Sequence, residues 1–327
     1  MKKFIRLALG FLLASIFLWL IFRHINLAEL KSTFREASPP LVLAAIASFF
    51  LGYSCRIERW RLMLVQDNPN LQWRCCAGPF MASIAVNNVL PFRAGDLLRA
   101  FGFNRRLEIS AASSVTSLFV ERLLDLLMNV AFLGLALAFF GMESSRFVGV
   151  GATFLMAAAA CILFVLLFPQ FFKPLAFWSG QVVLRLSPKL GERALAEIRK
   201  VFSSLEHMAR GRMMIKLIFW SLFAWIGEGG VFWLSALALP SLPNHHAAWL
   251  ALPVGTLATV IPSTPGYVGT FDFFIIQAVT ALGNSAATAT AYALLVHALL
   301  WLPPTLTGGL YFLLDRIKQR DISRATS

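Results

Sequence analysis

With 327 residues, of which 58% are hydrophobic and only 14% charged, the chain is too apolar for a soluble domain, where roughly 25% of residues carry charge. The net charge of +13 is dispersed among segments between apolar runs. It therefore fits the positive-inside bias of a membrane protein rather than a nucleic-acid surface, and no nucleic acid is expected as a partner.

The first apolar run, Phe4–Phe22, follows Lys2, Lys3 and Arg6. No small-residue cleavage site follows it, so it reads as an uncleaved signal-anchor helix. Further runs occupy Pro40–Leu64, Ala111–Phe140, Phe147–Phe168, Met213–Leu239 and Ala286–Leu314. Runs approaching or exceeding about 18 apolar residues suffice to cross a bilayer as helices, and backbone groups inside lipid must be satisfied within the segment. Two other stretches are shorter and interrupted. Ala77–Leu90 ends at Pro91 and leads into RAGD with Gly95, and Ala247–Ile261 ends at Pro262 and leads into STPGYVG with Pro265, Gly266 and Gly269. Proline removes a backbone donor and glycine loosens a helix, so each reads as a hairpin that enters and leaves on one side. The expected fold is all-α: one transmembrane domain over 1–327, a helical bundle of six crossings plus two re-entrant helical hairpins.

The charges agree with a cytoplasmic N-terminus. Lys2 to Arg6, Arg56 to Arg106, Lys173 to Lys216 and Arg316 to Arg324 then lie inside, and only Arg23, Lys31, Arg35 and Arg146 lie outside. Both termini are expected in the cytoplasm. Cys55, Cys75, Cys76 and Cys161 show neither metal-ligand nor disulfide spacing and read as small apolar filler. Between 188 and 212, Leu195, Ile198, Phe202, Leu205 and Met208 share one helical face. That helix either lies on the cytoplasmic lipid surface or packs as a linker on the bundle. The tail after Asp315 is short and leaves no room for a soluble catalytic domain.

The two halves repeat. SAASSVTSLFVERLL begins at Ser110 and SAATATAYALLVHAL begins at Ser285, 175 residues later, so that Arg122 aligns with His297. Each block follows one of the broken hairpins, giving repeat halves over 76–140 and 247–314. Three expected crossings separate the blocks, so the second half would be upside down: an inverted repeat, as in many transporters, with a site where the breaks meet.

Charges within spans are costly and are functional candidates by default. Glu121 and Asp125 share a helix face, with Arg122 in i,i+3 reach of Asp125. They form either a salt-bridged core or a polar floor able to exchange a proton or cation. Around the first break lie Asn87, Asn88, Arg93, Asp96 and Arg99, with Arg105 and Arg106 beyond. Freed backbone N–H groups and guanidinium forks suit a phosphate head group, whereas Arg105 and Arg106 read as positive-inside charge touching anionic lipid. Arg56 and Arg59 of RIERW share a face and could anchor the helix or meet the head group. Asp272, after the second break, is the expected counterpart of Asp96 or else a cap for the next helix. His297, alone in an apolar span, reads first as a hydrogen-bonded structural residue. No nucleotide-binding motif, H-E-x-x-H or paired-cysteine site is present, so no cofactor, metal or enzymatic activity is expected.

Taken in order, RIERW, NNVLPFRAGDLLR, SVTSLFVERLLD and IPSTPGYVGTFD resemble the lysylphosphatidylglycerol synthase transmembrane region, or flippase-like, family, from about Arg56 to the last span. The resemblance implies a bacterial inner-membrane protein that moves a lipid between leaflets. In bifunctional relatives a C-terminal soluble domain performs aminoacyl transfer, an activity not carried over here. Other relatives are associated with hopanoid or glycolipid pathways. Asp272 stands where the family often has glutamate.

The leading expectation is a transporter that neutralises a lipid phosphate with Arg93, Arg99 and Arg122 and couples through Glu121, Asp125 and Asp272. A lipid-binding accessory of a membrane synthase or glycosyltransferase is the alternative, and a membrane-embedded transferase a third reading that lacks a nucleophile. The expected partners are the lipid substrate, anionic lipid and, in the accessory reading, a lipid-modifying enzyme. Oligomeric state is left open.

Overall fold

The structure, a computed structural model, describes residues 32, 35–90, 93–141, 152–261 and 264–325. The expected Phe4–Phe22 helix, Pro91, Pro262 and the first residues of the Phe147–Phe168 run lie outside the described residues. The described chain is helical, without strands.

Helix α1 (Pro39–Leu64) starts on two prolines, whose fixed φ suits a first turn. Next come α2 (Trp73–Val89), the short α3 (Ala94–Leu97), which passes into a π-helical turn at Leu98–Gly102, and α4 (Asn104–Leu107). Helix α5 (Ala111–Phe139) is capped by Ser110, whose Oγ accepts from the Ser113 N–H at 3.0 Å. Helix α6 (Ala152–Leu167) bends by 82° into the segment that contains α7 (Lys173–Leu186). Then follow α8 (Pro188–Ala209), α9 (Gly211–Leu237), α10 (Ala248–Ala258), α11 (Thr270–Thr280) and α12 (Ala286–Ala325).

Helices α1, α5, α9 and α12 are long and apolar enough to span a membrane, and the bent pair is a fifth candidate. In the most apolar windows of those four, only 22% to 50% of residues are buried in the protein. A helix apolar all round yet half uncovered needs lipid on its outer side, which is where Leu43, Leu51, Leu135, Ile215, Leu306 and Leu313 point. The chain is therefore a multi-pass membrane protein. On the inner side, α1 packs along α9, where Gly52 and Gly227 let the backbones touch, and α2 packs along α12. Trp60, Phe49, Trp225, Phe232 and Tyr292 fill the core.

The two shorter stretches form helical hairpins. After α2 the chain doubles back so closely that a Cβ on Gly95 would sit 1.8 Å from the Ser83 carbonyl oxygen. Helices α10 and α11 pack antiparallel, with Gly255 against Ile275 and Phe271. Helix α8 turns its apolar face to protein: Leu195 and Ile198 lie against Gly180 of α7, Phe202 lies 6.4 Å from Phe177, and Met208 is buried. It is α7, with Leu175, Trp178 and Val182 exposed, that presents an apolar stripe outward.

Candidate functional site: a polar cavity where two hairpin tips meet

The tips of the two hairpins touch. Arg93, at the first, donates from Nε to the Tyr267 hydroxyl at 2.9 Å and from Nη2 to the Thr259 carbonyl at 3.2 Å, gripping both ends of the second tip. Arg93 (φ 51°) and Tyr267 (φ 61°) are both left-handed, a conformation costing a non-glycine residue of order 1–3 kcal/mol. The two strained residues are each other's hydrogen-bond partners. Gly266 (φ 68°) lies wedged between Trp301 and Asn88: an added Cβ would be 2.7 Å from Trp301 Nε1. Asn88 donates to Thr305 Oγ1 at 2.9 Å, tying the end of α2 to α12.

Behind this junction lies a cavity of about 390 Å³ lined by α1, α2, α5, α9, α12 and both tips. Of the residues expected from the sequence, Arg56, Asn87, Asn88, Arg93, Glu121, Arg122, Asp125 and His297 line it. Arg59, Asp96, Arg99 and Asp272 stand one layer back and pair with lining groups. Arg59 Nη1 reaches Asp125 at 2.9 Å and Ser221 at 2.8 Å. Arg99 Nη2 reaches Glu121 at 2.7 Å, its guanidinium lying over Phe80 at 4.6 Å. Asp96 accepts from Arg122 at 2.8 Å and from Asn87 at 2.9 Å. Asp272 Oδ1 meets His297 Nδ1 at 2.7 Å, while its Oδ2 accepts the Gly269 N–H at 2.9 Å and caps α11. Asp272 thus caps α11, the second of the two readings, and also meets His297.

Two details of the expectation change. Arg122 turns away from Asp125 to Asp96, 26 residues back, because Arg56 and Arg59 already occupy Asp125. Arg99 is fully buried against Glu121, Trp60 and Phe80 and is closed to a ligand. Sequence reasoning also passed over Glu228, the sole acid of α9, which pairs with Arg56 in the cavity wall, and over Tyr53, Asn129, Tyr267 and Trp301. The rule that charges inside spans are candidates would have found Glu228; nothing local marked the other four.

Among the described residues, then, four of the five guanidiniums around the cavity are held by carboxylates and Arg93 is not. Arg122, although paired, leaves 42% of its side chain open. No group of acidic, histidine and cysteine side chains able to hold a metal occurs among the described residues.

Fold and site together define a polytopic helical membrane protein with a charged cavity at the contact of two helical hairpins. A sequence model of the lysylphosphatidylglycerol synthase transmembrane region matches residues 7–308, and the chain belongs to that family. It is similar to the UPF0104 membrane protein MJ1595 of Methanocaldococcus jannaschii, 20% identical over 312 residues that cover 93% of each chain. It is also similar to glycosyltransferase AglD of Haloferax volcanii, 33% identical over 128 residues. That match takes in 39% of this chain and 20% of AglD, so the chain spans only a small part of that relative.

Proposed function

We propose that the chain carries the phosphate-bearing head group of a lipid between the leaflets of the cytoplasmic membrane, with the basic loops and both termini in the cytoplasm. The observation that carries this is the pair Arg93 and Arg122 on the cavity wall, one free of any carboxylate and the other part-open. Guanidiniums bind phosphate through paired charge-assisted bonds. A cavity of about 390 Å³ accepts a head group, while the acyl or polyprenyl chains stay in lipid. Phospholipids and lipid-linked glycans or polyprenyl phosphates share that phosphate chemistry. Each charge-assisted bond is worth about 1.5–3 kcal/mol. Replacing both Arg93 and Arg122 by alanine should therefore slow lipid movement in reconstituted vesicles about a hundredfold or more. Native lipid moving no faster with the wild-type protein than in empty vesicles would falsify the reading.

The likeness to a stretch of a protein named as a glycosyltransferase favours one alternative: a lipid-binding accessory that presents substrate to a separate enzyme without moving it. In that case the protein would bind lipid and copurify with the enzyme, and the vesicles would show no exchange.

A further inference from the structure

We propose that His297 and Asp272 form a proton-binding site whose occupancy clamps the second hairpin tip. The ligand is a single proton, and among the described residues no other carboxylate around the cavity is placed to take it in the same way. Asp96, Glu121, Asp125 and Glu228 each meet a guanidinium, which does not release its proton at any physiological pH. Asp272 meets an imidazole instead.

The geometry counts the protons. His297 Nδ1 lies 2.7 Å from Asp272 Oδ1, and Nε2 lies 3.0 Å from the Gly266 carbonyl oxygen. A carbonyl can only accept, and so can an ionised carboxylate. With Asp272 ionised, both contacts are made only when both ring nitrogens bear hydrogen. A neutral ring has one N–H and loses one of the two. The Asp272 bond ties α12 to the carboxylate that caps α11, and the Gly266 bond ties α12 to the tip that lies between Trp301 and Asn88. Either loss loosens the junction of the two tips.

The surroundings leave this pair a site of its own. Phe271 covers the ring edge at 5.3 Å. From the other elements packed here, the charged or titratable groups on the shared cavity are Arg56 and Tyr53 of α1, Glu121, Arg122 and Asp125 of α5, Glu228 of α9, and Arg93 and Tyr267 at the tips. Their guanidiniums and carboxylates bond to one another, to Arg59, Asp96 or Arg99 behind the wall, or to the second tip, and none bonds to His297. The neighbouring face of α2 offers only Asn87 and Asn88. His297 itself lines the cavity, so a proton can reach it from there while Asp272 stays 2% exposed.

This inference deepens the transport reading by giving it a coupling site, and it can be tested without any lipid moving. Nitroxides on Val89→Cys and Ile261→Cys, near the two tips, would report their separation by dipolar coupling, in a background with the four native cysteines replaced by alanine. Between about pH 5 and about pH 9, the separated population should rise about tenfold, the worth of one charge-assisted bond. His297→Arg, which supplies a permanent cation like Arg122, should keep the tips together at both pH values. His297→Gln should show the same separation at both. A wild-type protein with no pH response, or a pH response that survives in His297→Gln, would overturn the proposal. Failure of vesicle transport with these distance changes intact would instead count against the transport reading alone.

Discussion

The two hairpins share a local plan and differ in one chemical choice. In each, a residue with positive φ (Arg93 at 51°, Gly269 at 86°) sits three positions before an aspartate, Asp96 or Asp272. In each, the next long helix begins at a serine whose Oγ accepts the backbone N–H three residues on, Ser110 to Ser113 and Ser285 to Thr288. That helix then returns a nitrogen base to the aspartate: Arg122 to Asp96 at 2.8 Å, His297 to Asp272 at 2.7 Å. Arginine makes the first lock permanent and leaves part of a cation open to an anion. Histidine gives the second a partner that can exist with or without charge, beside a carboxylate only 2% exposed. The two halves thus share a local geometry and differ in the base they present, arginine in one and histidine in the other; on the proposed reading the first would suit phosphate and the second a proton.

The largest expected effect tests whether the framework is independent of that chemistry. Glu121 is 3% exposed and is the carboxylate that neutralises the fully buried Arg99. Removing one partner of a buried ion pair costs about 3–5 kcal/mol, because the other charge stays behind. Glu121→Ala should therefore lower the unfolding temperature of the purified protein sharply. An Arg99→Met, Glu121→Leu double variant should recover much of the loss. If Glu121→Ala instead leaves stability intact and abolishes lipid movement, Glu121 belongs to the phosphate-handling machinery and the division of labour fails.

The next effect separates the two aspartates. Asp96→Asn keeps one acceptor oxygen, enough for either Asn87 or Arg122, and releases Arg122 from its counter-charge. Anion affinity at the cavity should rise, about tenfold if one charge-assisted interaction is freed, as read by equilibrium binding of inorganic phosphate or a short-chain phospholipid. Asp272→Asn frees no guanidinium and should leave that affinity within about twofold. Equal effects from the two variants would mean that the halves do not differ as their bases suggest.

How much of this was legible in the sequence follows from how far each interaction reaches along the chain. The breaks at RAGD and STPGYVG were readable because proline and glycine act on their own backbone. The spans of α1, α5, α9 and α12 were readable because lipid imposes composition on each helix separately. Partners were not. The i,i+3 rule offered Arg122 to Asp125, and only the packing of α1 on α5 shows that Arg56 and Arg59 already hold that carboxylate. The 82° bend after α6 was equally hidden, because α7 carries Lys173 and Arg185 among its apolar residues and resembles neither a span nor a surface loop. The alignment of Arg122 with His297 could not show that each would meet an aspartate.

The smallest expected effect bears on the contact where the halves meet. The Tyr267 hydroxyl is the acceptor for Arg93 Nε, and the Arg93 guanidinium also lies 6.0 Å from the Tyr267 ring centre. Tyr267→Phe keeps the ring and removes one hydrogen bond, worth about 1 kcal/mol net, or about fivefold in an equilibrium. If the tips must part for a head group to pass, the missing bond favours the open state, and phosphate competing for Arg93 meets less opposition. Lipid movement should then rise by up to about fivefold, with the Thr259 carbonyl still holding Nη2. If instead Tyr267 positions Arg93 for phosphate, the same variant should slow movement by a similar factor. The sign of a small change at one hydroxyl therefore decides whether the contact between the halves is a latch or part of the binding surface.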